Sequence, residues 1–61
     1  MSNFEILKRA AAERAEELRG EASSYDMQRQ HLPAAESQKL GNAAKFLLMA
    51  AQELAGLAVL P

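Results

Sequence analysis

Phe4, Leu7, Ala11, Ala15, Leu18, Ala22, Tyr25 and Leu32 recur mostly at three- and four-residue intervals. At 100° per residue they fall within a stripe about 100° wide, one face of a helix. The pattern predicts a first helix over about residues 3–30. Ser2 is placed to cap its N-terminus, with Glu5 reaching back to the Ser2 N–H and Met1 packing on Ile6 as a hydrophobic staple. The residues beside the stripe are charged or small. Glu5 with Arg9 and Glu16 with Arg19 are spaced as ion pairs of about 0.2 to 0.5 kcal/mol each, as on a solvated face. Gly20, at a cost of about 1 kcal/mol relative to Ala, and the pair Ser23-Ser24 weaken the middle of the helix. Because the stripe keeps its phase through Ala22 and Tyr25, one continuous or slightly kinked helix is expected.

Leu32-Pro33 marks the next boundary, since a proline biases the residue before it away from helical geometry and suits the first helical position itself. A turn at about residues 30–33 and a second helix over about 33–58 follow. Leu40, Leu47 and Leu54 form a seven-residue repeat, and Ala44, Ala51 and Ala58 fill the alternate positions of a packing seam. Gly41-Asn42 is the weak point, because Asn42 could instead cap a separate helix starting at Ala43. Ala11, Ala15 and Ala22 opposite Ala44, Ala51 and Ala58 would let two antiparallel helices approach closely.

The second helix carries more apolar surface than one neighbour covers. Residues 43–60 are apolar except Lys45, Gln52, Glu53 and Gly56, which share a sector about 100° wide that also holds Met49 and Leu60. The remaining apolar arc exceeds about 200°, whereas an ordinary amphipathic helix hides a stripe of little more than about 100°. With the Leu/Ala seam set against the first helix, Phe46, Ala50 and Leu57 are left on one flank and Leu48, Ala55 and Val59 on the other. Burying a Phe or Leu side chain contributes roughly 1.5 to 3 kcal/mol, so such a surface points to an interface. The expected fold is all-α, a single antiparallel two-helix hairpin over 1–61. It is completed by a second copy in a four-helix bundle homodimer or by docking on a partner protein.

Size sharpens this expectation, because a chain of 61 residues buries only about 60% of its unfolded surface. It has no cysteine for a disulfide and one histidine, so a His/Cys zinc cluster is excluded and no cofactor is expected. Hydrophobic residues make up 49% of the chain, too many for simple disorder. The formal net charge of −1 gives no field for nucleic acid, and Lys8, Arg9, Arg14 and Arg19 are interleaved with Glu13, Glu16, Glu17 and Glu21. Charges among the first twenty residues leave no room for the apolar region of a signal peptide, so the chain reads as intracellular and cytoplasmic. Residues 43–60 approach the length of a membrane span, yet Lys45, Gln52 and Glu53 interrupt them and no basic cluster flanks them, which disfavours a membrane partner.

Catalytic chemistry finds no foothold. His31 lies at the expected turn with no nucleophile near it in sequence, and the pairs Glu13-Glu17 and Glu17-Glu21 lack the Glu-x-x-His pattern of a di-metal bundle. In length and layout alone the chain resembles small plasmid RNA-regulatory hairpins that dimerise into four-helix bundles. It is similar in the same sense to helical-hairpin co-chaperones of type III secretion systems and to short phage inhibitors of host regulators. No motif is shared with any of them, and no contact residues are carried over. The expected function is a non-enzymatic interaction module, a small adaptor, inhibitor or co-chaperone of a bacterial or phage protein. The expected contact surface is Phe46, Met49, Ala50, Leu57 and Leu48, with Tyr25, Arg29 and His31 near the turn as specificity residues. A dimeric regulator of RNA or DNA is the alternative, distinguished by a steep salt dependence of its binding.

Overall fold

The computed structural model describes residues 2–61; the expected contact of Met1 with Ile6 lies outside them. Two helices, α1 (Asn3–Gln28) and α2 (Ala34–Ala58), are joined by one 3₁₀ turn at Arg29–His31 and run back along each other. The rod they form has Cα extents of 49 × 13 × 12 Å and a radius of gyration of 14.4 Å. A compact 61-residue domain would have a radius of about 10.5 Å. The hairpin is long because nothing folds across it.

The local signals act much as the residue types dictate, with instructive departures. Ser2 caps α1, its Oγ accepting the Glu5 N–H at 3.2 Å. The Glu5 carboxylate does not reach back to Ser2, nor to Arg9; it pairs with Lys8 Nζ at 3.2 Å, one residue nearer than the expected partner. Glu16 and Arg19 meet at 2.8 Å as their spacing predicts. Helix α1 runs through Gly20 and the two serines without a break, and its α-geometry ends at Gln28, where the chain tightens into the 3₁₀ turn. Leu32 is extended, as the following proline requires. Pro33 is the N-cap of α2 and not its first helical residue, with its own carbonyl accepting the Ser37 N–H at 2.9 Å.

Helix α2 is continuous through Gly41-Asn42. Gly41 is buried under the guanidinium of Arg29, and a Cβ there would stand 2.7 Å from Arg29 Cζ. The glycine makes room for a side chain crossing from the turn. Arg29 Nε donates to Ser37 Oγ at 3.2 Å, and its Nη1 lies 3.7 Å from Asp26. At the open end Lys8 Nζ donates to the Leu60 carbonyl at 2.9 Å and lies 5.4 Å from the centre of the Phe4 ring. One basic side chain therefore latches each end of the hairpin, and the one at the open end satisfies a carbonyl just beyond the end of α2.

Between the latches lies a core of small residues. Among the described residues the buried hydrophobic ones are Ala11, Ala15, Leu18, Ala22, Ala44 and Ala51, so Leu18 is the only one of them larger than alanine. Leu18 packs with Ala15 and Ala51, with Leu47, Leu54 and Ala55 partly buried against them. Phe4 and Leu7 continue the α1 stripe but stay exposed, because they lie at the open end where α2 runs out. Methyl groups let two helices come close, and they remove little apolar area from water in doing so.

Candidate interaction surface

The side chains able to form a larger core point elsewhere. Phe46 is 70% exposed, and Leu48, Met49, Val59 and Leu60 are exposed with it. Of the seam expected on α2, Ala44 and Ala51 are buried while Leu40, Leu47, Leu54 and Ala58 are only half-buried. A single neighbouring helix made mostly of alanines on its inner face cannot cover leucines of this reach.

The expected surface residues divide by helix face. Phe46, Ala50 and Leu57 follow one another on one flank of α2, with Leu57 half-buried and the other two exposed. Leu48 sits on the opposite flank beside Val59, and Met49 points outward in the sector of Lys45, Gln52, Glu53 and Gly56. Ala55 belongs to the inner cluster, not to a flank. The five residues expected to act together thus form one flank of three and two outliers. Near the turn, Tyr25 is half-buried, Arg29 is engaged as the latch described above, and His31 is exposed at the end of the 3₁₀ turn.

A second pattern on α2 is absent from the sequence reading. Ala43, Leu47, Ala50, Leu54 and Leu57 follow at intervals of four, three, four and three, the spacing of a coiled-coil seam. This seam lies about 60° round the helix from the one facing α1 and shares Leu47 and Leu54 with it. Spacing alone could have revealed it. It was hidden because both leucines were already assigned to the inner seam.

In an antiparallel pair of right-handed helices, the flank of α2 that bears this second seam lies on the same broad side of the hairpin as the Leu7, Arg14, Leu18, Glu21 and Tyr25 flank of α1. The burial of Leu18 among Leu47 and Leu54 fits that placement. Arg14 on this side meets Glu17 at 2.7 Å and Glu21 at 3.9 Å. The hydrogen bond to Glu17, aided by the negative charges of Glu21 and Glu17 and opposed by desolvation, raises the Arg14 guanidinium above its ordinary pKa. The other broad side carries Glu5, Glu16, Arg19, Lys45 and Gln52. The first side is the more apolar and the second the more charged, with Arg14, Glu17 and Glu21 on the first and Leu48 and Val59 exposed on the second.

Among the described residues there is no pocket, no group of His, Asp or Glu arranged to hold a metal ion, and no helix long and apolar enough to cross a membrane. No buried side-chain nitrogen or oxygen among them lacks a partner. The chain matches no known protein family, and neither curated proteins nor solved structures offer a similar chain.

Proposed function

We propose that the chain is a non-enzymatic protein–protein interaction module, of the kind that serves as a small adaptor, inhibitor or co-chaperone, and that the apolar flank of α2 is its contact surface. The observation that carries this reading is the inversion of side-chain size between inside and outside. The buried hydrophobic core holds five alanines and one leucine, while Phe46, Leu48 and Met49 stand in water. Domains of this size are marginal, and a contiguous apolar surface on one is ordinarily an interface. Association through this flank moves Phe46, Ala50 and Leu57 out of water without altering either helix. The mixed signs of charge along α1 give no basic stripe for a nucleic-acid backbone.

A photo-activatable amino acid introduced at Phe46 in the living source cells tests the proposal, with the same group at Glu13, exposed on the face of α1 turned away from α2, as the control. Illumination is expected to give a protein adduct from position 46 and none from position 13. The absence of any adduct at 46, or equal adducts at both positions, would overturn the assignment of the flank.

A further inference from the structure

We infer that the apolar side of the hairpin takes a second copy of this chain, related by a two-fold axis that lays α2 antiparallel against the α2 of the other copy. This rests on the reading of the α2 flank as a contact surface and names its occupant. Three observations converge on that occupant.

The first is the order of sizes in the outer seam. Ala43, Ala50 and, at the C-terminal end, Leu57 hold one position of the repeat, and Leu47 and Leu54 hold the other. Antiparallel seams set one position against the other across the interface, whereas parallel seams set like against like. With the two-fold axis between Leu48 and Met49, Ala43 meets Leu54 of the second copy and Leu47 meets Ala50 of the second copy. Leu47 and Leu54 then fill the spaces left by the alanines, and Leu57 falls opposite Leu40 of the second copy at the rim of the contact. A parallel pairing would stack Ala50 on Ala50 and leave a gap.

The second observation is charge. The hairpin contacts carry the same register across to α1, because Ala15 and Leu18 pack around Ala51 beside Leu47 and Leu54. The two-fold axis between Leu48 and Met49 then passes near Leu18. Arg14 of one copy comes within about a turn of helix of the level of Glu21 of the other, and the reverse pair follows by symmetry. Arg14 and Glu21, which share this side with Glu17 and Lys39, are therefore complementary to themselves in the orientation that the Ala/Leu order selects.

The third is area. A compact protein of this mass exposes about 3,900 Å², and the hairpin exposes 4616 Å². Two copies reaching the surface of a compact protein of twice the mass, about 6,400 Å², would each bury about 1,400 Å². A stable interface needs about 800 Å² per partner. The hairpin's excess over a compact protein of its mass, about 700 Å², is itself close to what one partner of a stable interface covers.

The test uses the whole chain, which has no native cysteine, with single spin labels on Gln38→Cys and Gln52→Cys, both exposed and off the proposed contact. In the antiparallel dimer the two Gln38 labels are offset along the axis by about 30 Å and the two Gln52 labels by about 10 Å. Distances between labels should therefore be clearly longer at 38 than at 52. Equal separations at the two sites would overturn the antiparallel arrangement, and a monomeric mass by sedimentation equilibrium at 100 µM would overturn the second copy altogether.

Ala50→Glu places two carboxylates in the contact and is expected to weaken dimerisation by at least about 100-fold. A dimer unaffected by it would overturn the proposed face. A monomer that cross-links from position 46 to a different protein would remove the second copy while leaving the contact-surface reading intact. A dimer insensitive to Ala50→Glu, with no adduct at 46, would remove both.

Discussion

Leu18→Ala is expected to lower the melting temperature by more than about 10 °C at fixed protein concentration. Leu18 is 6% exposed and is the single buried core side chain larger than alanine. Its truncation removes three carbons from between Ala15, Ala51, Leu47 and Leu54, the last two of which belong to both seams of α2. Leucine-to-alanine changes in cores cost about 2 to 5 kcal/mol. For a domain of this size each kcal/mol shifts the midpoint by about 4 to 8 °C. Helical circular dichroism against temperature reads the effect. A midpoint within about 3 °C of the wild type would mean that Leu18 does not hold the hairpin together.

Ala15→Leu tests the opposite limit of the same packing. Ala15 is buried against Ala51, and a leucine there has no space to occupy unless the helices move apart. Overpacking of this kind costs about 1 to 3 kcal/mol, a drop of roughly 5 to 20 °C in a domain of this size. Leucine and alanine are close in helix propensity, so the change acts through packing and not through α1 itself. Ala12→Leu, at an exposed position one turn away, supplies the control and should stay within about 0.5 kcal/mol of the wild type. Equal effects at the two positions would contradict a close alanine seam.

Much of the hairpin was legible because its signals are local. The three- and four-residue spacing of alanine and leucine marks the inner faces, Ser2 marks a helix start, and Leu32-Pro33 marks where the chain turns. What spacing could not show was which long polar side chains reach across the hairpin. Lys8 reads as part of a solvated face and Arg29 as a specificity residue near the turn, yet each spans the gap to the other helix or its end, and neither bond has a periodic signature. Gly41 reads as the weak point of the second helix for the same reason, since the position of Arg29 explains a glycine inside a helix there. The oversized apolar arc of α2 was visible on a wheel, while its division into two seams sharing Leu47 and Leu54 emerged once burial separated the residues touching α1 from those left outside.

We infer that the hairpin's own core is too thin and that its stability comes from covering the outer seam of α2 with another copy. Thermal melting of the wild-type chain, followed by circular dichroism over a hundredfold range of concentration, measures this most directly. A midpoint that climbs steadily with concentration, as mass action requires of a dimer, is the predicted result. A midpoint that stays constant across the whole range, with full helicity at the lowest concentration, would show that the alanine seam suffices alone and would contradict the account.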